Sequence, residues 1–375
     1  MSDRQAVSLS VPFNDLKPKV AAHRAAIDRA MARVLDRGYF ILGPEVEAFE
    51  KELAAAMGMQ DAVSVANGTD AIILALEAKG IGPGDEVITS PMSAAFSALA
   101  ISRLGATPVF GDVDRRTMNI DPSTIEPLIS KKTRGILPVH LYGHPADLDP
   151  IMEIAQRHKL VVVEDACQAH GARYKGRPVG SMAGIAALSF YPTKNLGAFG
   201  DGGAILVNDP AEASLLRKLR NGGQAVRYQH ERLGTNSRLD EIQAAILREL
   251  LQTLEAETVR RRAIAERYFD AFRSLPIGLP EEQGYARAVY HLFVVRHPQR
   301  SAFMAALHDR GVGTLIHYPI ALHLQGAYAS LGGKRGHLPV VEKAADEIVS
   351  LPVYPELTEA QVGAVIAAVK ETAHV

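Results

Sequence analysis

Apolar residues recur every three or four positions at about residues 19–36 and again at 44–57, a spacing that predicts two amphipathic helices. Asn67-Gly68-Thr69-Asp70 opens a third, AIILALEAKG, which stops at Gly80 ahead of a Gly-Pro-Gly turn. The pattern then changes. Short β-rich runs, EVITS (86–90), TPVFGDV (107–113), TRGILPVHL (133–141), KLVVVEDA (159–166), IAALSFYP (185–192) and GAILVND (203–209), alternate with helical segments such as SALAISRLGA and DLDPIMEIAQRH. Near-continuous apolar strands separated by helices predict an α/β fold with a mainly parallel sheet covered on both faces.

After residue 210 the strands give way to helical spacing. Residues 241–272 predict one long helix leading out of a large first domain, residues 1–245. Residues 246–375 hold that connecting helix and a smaller α+β domain. Its strands are expected at Tyr290–Val295 and around Gly313–His317, and its closing helix at 358–373. No internal repeat, low-complexity tract or long linker separates the lobes.

Composition adds exclusions. With 375 residues, 47% hydrophobic and 22% charged, the chain has the makings of a sizeable core. A formal charge of −1 gives no electrostatic footprint for nucleic acid or an anionic membrane. The single cysteine, Cys167, rules out an intramolecular disulfide and fits a reducing compartment; it reads as a small buried residue rather than a nucleophile. The start MSDRQAVSLSVPFNDL lacks the features of a secretory signal. No apolar run approaches the roughly 18–20 residues of a membrane span. Together these predict a cytoplasmic protein.

The candidate chemistry lies at strand ends. Asp165, in VVVEDACQAHGA, sits at the C-terminal end of a buried strand, where open α/β sheets place ligands. A buried carboxylate needs a partner, and alone it reads as a metal ligand, a helix cap or the partner of a pyridinium nitrogen. In SFYPTKNLGAFGDGG, Lys194 follows the next apolar strand among glycines 197, 200, 202 and 203. Most lysines are solvated surface charges; one so placed is a candidate Schiff-base amine with depressed pKa. Ser189 precedes it with a hydroxyl suited to a phosphate. Gly68 and Thr69 stand where a loop enters a helix, a ready anion site, although Thr69 and Asp70 read equally as caps. No dinucleotide or P-loop fingerprint is present. His140 and His144 are spaced like zinc ligands but lie in a strand-and-turn run, so no metal site is expected. Tyr191 and Lys194 are one residue short of the tyrosine–lysine spacing of some hydride-transfer enzymes. Arg260–Arg262 reads as the solvated face of a helix.

The blocks GYFILGPEVEAFE (38–50), ANGTDAIILAL (66–76), ILPVHLYGHPADLDPI (136–151), VEDACQAHGA (163–172), SFYPTKNLGAFGDGGA (189–204), LRNGGQ (219–224), GTNSRLDEIQAA (234–245) and SLPVYPELT (350–358) resemble the DegT/StrS sugar-aminotransferase family of fold-type-I pyridoxal phosphate (PLP) enzymes. The resemblance covers nearly the whole chain. It implies a seven-stranded, mainly parallel sheet sandwiched by helices, a small C-terminal domain, and a homodimer with active sites at its interface. It places the Schiff base on Lys194, the ring-nitrogen contact on Asp165, and Gln168 beside the ring. Gly68, Thr69 and Ser189 would hold the phosphate, with Asn236 reaching in from the second subunit. Ala94 stands where the family carries an aromatic residue stacked on the ring, and Phe96, two residues on, is assigned that contact instead. TLIHYPIALHLQGAY (314–328) and VYHLFVVR (289–296) resemble the branch acting on dTDP-linked 3-keto-6-deoxyhexoses, with His317, Tyr318 and His323 lining the sugar or diphosphate pocket. The bland alternative is that this loop braces the domain junction. The implied reaction carries an amino group from L-glutamate, released as 2-oxoglutarate, to the keto-sugar. Amination at C4 is the alternative within the family. A PLP-dependent dehydratase, in which histidine replaces the lysine, and a non-catalytic regulatory protein are the rivals. Lys194 opposes the first, and the full set of chemical residues opposes the second.

Overall fold

Helices form where the apolar spacing places them. They are α1 (Lys17–Arg37) and α2 (Pro44–Ala56), each with proline in its first turn, where the missing N–H costs nothing. The computed structural model describes residues 10–375; residues 1–9, part of the stretch read as lacking a secretory signal, lie outside the described residues. Then come β1 (Asp61–Val65), α3 (Gly68–Ala78), β2 (Glu86–Thr89), α4 (Phe96–Arg103), β3 (Thr107–Phe110), β4 (Thr133–Leu137) and α5 (Leu148–His158). They are followed by β5 (Val161–Val162), β6 (Glu164–Asp165), the hairpin of β7 (Arg173–Tyr174) and β8 (Arg177–Pro178), β9 (Ile185–Ser189), β10 (Gly203–Val207) and α6 (Pro210–Leu219).

The strands assemble in the order β3-β2-β4-β5, continuing through β6 to β9, β10 and β1. Only Val163 interrupts β5 and β6. Its N–H still bonds Ile136 O (3.1 Å) and that of Asp165 bonds Pro138 O (2.9 Å), so the two act as one strand of a seven-stranded layer. The pairs are parallel except those with β10, which runs against β9 and β1. Strand β1 is absent from the sequence-based expectation because Ser64 breaks its apolar run. The structure buries Ser64 by giving its hydroxyl to Glu50 (2.7 Å), whose carboxylate also pairs with Arg220.

Further differences appear beyond residue 220. The expected helix over 241–272 is two helices, α7 (Glu241–Leu251) and α8 (Leu254–Phe272). At the joint the Thr253 hydroxyl bonds Leu250 O (3.1 Å) and Glu257 (2.9 Å), a local competition with the helical ladder. Before α7 lies a hairpin of β11 (Gln224–Val226) and β12 (Gln229–His230); after α8, β13 (Ala286–Arg287) pairs with β7. The smaller lobe is built on β14 (Phe293–Arg296) and β15 (Ile348–Leu351), with α9 (Arg300–Asp309), α10 (Pro339–Glu347) and α11 (Glu359–Thr372). The strand expected from Tyr290 starts later because Tyr290 adopts a positive φ of 44°. The run 313–317 is not a strand. Gly313 N–H is bonded to Val11 O (2.8 Å), and a single bridge, Leu315 to Ser350, touches β15.

Three principal cores result, one around Phe49, Leu188 and Phe190, another around Tyr268, Phe272 and Phe293, and a third around Ile72, Leu76 and Ile205. Val11 packs in the second, so the N-terminal stretch runs along the smaller lobe before α1. Because β6 and β9 are parallel, Asp165 and Ser189 emerge from the same edge of the sheet, and the N-terminus of α3 meets them there.

Candidate active site

Asp165 is buried, yet among the described residues it forms no ion pair. Its oxygens are held by hydrogen bonds instead: Oδ1 accepts the N–H of Cys167 (3.1 Å) and Oδ2 accepts the hydroxyl of Ser97 (2.7 Å). A buried carboxylate without a cation is costly. It suits a ligand that brings one, such as a protonated ring nitrogen.

Lys194 lies one strand away, in the turn after β9, its N–H bonded to Tyr191 O (2.8 Å). Burial pulls its pKa below the ordinary 10.5, and Cys167 and Asp165 partly oppose that shift. A larger fraction of neutral amine is what a Schiff-base lysine needs. Cys167, half-buried beside the pair, is pushed well above the ordinary thiol value by burial first and by Asp165 second, so it remains a neutral thiol.

The third part is the N-terminus of α3. Its cap is Asn67, whose side chain accepts Asp70 N–H (2.9 Å), while Ser237 donates to the Asp70 carboxylate (2.6 Å). The capping alternative for Thr69 thus gives way to Asn67. Among the described residues no group of the chain accepts the N–H of Gly68 or Thr69. Ser189 closes the other side: a Cβ on Gly68 would stand 2.6 Å from Ser189 Cβ and 3.1 Å from its hydroxyl oxygen. Two unclaimed N–H groups, a helix dipole and a hydroxyl form a cradle for a phosphate dianion. The residues present therefore fit PLP at both ends, ring nitrogen and phosphate.

Gln168 is buried and aimed by two contacts, accepting Tyr142 N–H (2.8 Å) and donating to Tyr318 OH (3.0 Å). Tyr142, which takes a positive φ of 59°, also donates its hydroxyl to His317 O. Thus Tyr142, Tyr318 and His317 belong to the same cluster as Gln168. The His317 ring stacks on Phe13 (5.5 Å), with Nδ1 2.8 Å from Ser350 Oγ.

His323 is placed differently. It is buried with Nε2 on Glu342 (3.0 Å), whose carboxylate also takes the N–H groups of Gly336 and Leu338. No hydrogen bond joins it to Asp165, Lys194 or Gln168, and its Nδ1 is buried without a partner among the described residues. Phe96 opens α4 with 58% of its surface exposed, on a face about 100° from the inward-turned Ser97. Asn236 is exposed, bridging to Asn221 of its own chain. His140 and His144 are engaged locally, His140 with Glu164 (3.0 Å) and Ala146 N–H (3.0 Å), His144 with Pro145 O (2.7 Å). Ser93, Ser97 and Tyr142 escaped the sequence reading. The two serines stand one helical turn apart, a signal open to notice; the Tyr142 backbone contact leaves none.

Burial, and secondarily the Lys194 charge, pushes His317 down to about 4 and His170 to about 3 from an ordinary 6.5. Both are neutral in the folded chain over a range where the unfolded chain binds protons. Stability of the cofactor-free protein is therefore expected to fall as pH drops from about 6.5 towards 4. Urea midpoints across that range should decline, and less steeply for His317→Gln; an unchanged slope in that variant would remove His317 from the account.

The family model described as "DegT/DnrJ/EryC1/StrS aminotransferase family" matches residues 22–370. The dTDP-3-amino-3,4,6-trideoxy-alpha-D-glucose transaminase of Streptomyces venezuelae is 50% identical over 374 residues, covering 100% of this chain and 98% of that protein. The crystal structure of S. venezuelae DesV in complex with a ketimine intermediate matches with a TM-score of 0.96 at 49% identity, over 98% of this chain and 100% of that one. NtdA of Bacillus subtilis, solved with bound cofactor PMP, matches with a TM-score of 0.91 at 33% identity, over 100% of this chain and 87% of its own.

Proposed function

Because the chain belongs to the DegT/DnrJ/EryC1/StrS aminotransferase family, we propose that it moves the amino group of L-glutamate onto a nucleotide-linked keto-sugar, releasing 2-oxoglutarate. The acceptor is a dTDP-3-keto-6-deoxyhexose, and the product feeds amino-sugar biosynthesis. The observation that carries this reading is the pairing of a desolvated lysine with an unpaired buried carboxylate, one strand apart, beside an open helix N-terminus. The names of the similar transaminases support the 3-amino branch.

PLP is the cofactor, and when bound it supplies an electron sink for charge developed at the substrate carbon. Asp165 would face the ring nitrogen and keep it protonated, and Gln168 would flank the ring. Gly68 N–H, Thr69 N–H and the Ser189 hydroxyl would hold the phosphate. Lys194 Nζ would be the attachment point and, as a free amine, the acid–base group that carries the proton from the donor's α-carbon to the cofactor's C4′ carbon. His317 and Tyr318 frame the sugar side, His317 neutral and so able to accept or donate a hydrogen bond. Phe96, exposed at the start of α4, would have to turn its side chain inward to contact the ring. Two copies assemble, Asn236 reaching the second copy's phosphate; exposed Tyr39, Phe40, Ile41, Phe199 and Leu233 supply apolar surface for that contact. Among the described residues no helix is long and apolar enough to cross a membrane; the single cysteine fits the reducing cytoplasm in which we place the enzyme.

The test is incubation of the holoenzyme with L-glutamate and a panel of 3-keto and 4-keto sugars on dTDP and UDP, followed by release of 2-oxoglutarate and location of the new amine. The expected product carries nitrogen at C3 of the dTDP sugar. Amination confined to C4 would replace this branch by the other, and inertness towards the whole panel would remove the nucleotide-sugar reading.

A further inference from the structure

We propose that Ser97, backed by Ser93, is a positioning residue that sets the Asp165 carboxylate for the cofactor's ring nitrogen. The inference rests on the reading of Asp165 given above. Ser97 is the second residue of α4, and its hydroxyl crosses to β6 to donate to Asp165 Oδ2 at 2.7 Å. Ser93 Oγ lies 2.9 Å from Ser97 Oγ. Ser97 has one hydroxyl proton, and the carboxylate takes it. Ser93 must then be the donor to Ser97, so the chain of bonds has one direction, from Ser93 through Ser97 to Asp165.

All three side chains are buried, at 4%, 2% and 4% exposure, where bulk water does not supply the same bonds. A serine in a helix commonly turns its hydroxyl back to its own backbone; this one is spent on a carboxylate 68 residues away. With Cys167 N–H on Oδ1 and Ser97 on Oδ2, each oxygen is gripped once, which fixes the plane of the group. Each oxygen also retains lone-pair capacity for a further donor. Hydrogen bonds to an ionised acceptor are the strong ones, so losing Ser97 frees the carboxylate to rotate away from its ring partner.

The test separates this role from a tie that merely fastens α4 to the sheet. Wild type, Ser97→Ala, Ser97→Thr and Ser93→Ala are compared by equilibrium dialysis for apparent Kd with PLP and with 1-deaza-PLP, which lacks the ring nitrogen. Ser97→Ala is expected to weaken PLP about tenfold while leaving the deaza analogue unchanged. Threonine should restore binding to within about twofold, and Ser93→Ala should cost about threefold, again for PLP alone. Equal weakening of both ligands by Ser97→Ala, or of neither, would overturn the proposal. A wild type that does not distinguish the ligands would instead overturn the reading of Asp165 itself.

Discussion

Lys194→Ala is expected to lose turnover by on the order of 10⁴-fold or more while still retaining PLP. The two effects separate because the other contacts proposed for the cofactor, Asp165 and the cradle of Gly68, Thr69 and Ser189, lie on different elements and would be untouched by the change. Removing the side chain deletes both the attachment point and the base, and no neighbouring group can take over. Cys167 is held as a neutral thiol, and His170 and His317 remain neutral but too weakly basic at the pH of the reaction. The measurement is 2-oxoglutarate release under saturating substrates, together with cofactor content after gel filtration. Retention of even a hundredth of wild-type activity would place the base elsewhere.

Asp165→Asn comes next in size. Asparagine keeps the shape and can still accept from Ser97, but it carries no charge to set against a protonated ring. Removing one member of a buried charge pair costs about 3–5 kcal/mol, so a fall in kcat of roughly 10²–10⁴-fold is expected, with the thermal melt of the cofactor-free protein close to wild type. The melt is the control, because this carboxylate has no ion pair among the described residues to lose. A variant within about threefold of wild type would mean that the ring nitrogen has another partner, or none.

The sheet and the two central residues were legible because a single rule governs both. Apolar strands separated by helices lie parallel, and their carboxyl ends face one edge, so Asp165 and Lys194 were brought together by topology alone. What escaped depends on contacts that sequence spacing does not encode. Strand β1 was hidden by Ser64, whose partners Glu50 and Arg220 lie 14 and 156 residues away. The break between α7 and α8 turns on one threonine hydroxyl inside an otherwise unbroken helical pattern. Likewise the contact between His323 and Glu342, 19 positions on, left no mark in the sequence. The resemblance supplied roles, but it could not say that Asn67 caps α3 and leaves the next two N–H groups unclaimed.

Those unclaimed groups, with the lone carboxylate of Asp165, bear on how long the polypeptide lasts as well as on catalysis. A fold that leaves polar groups uncompensated until a small molecule arrives is stabilised in proportion to the logarithm of that molecule's free concentration. Vitamin supply would then set abundance as well as rate, since chains made when the cofactor is scarce spend more of their time open to proteolysis.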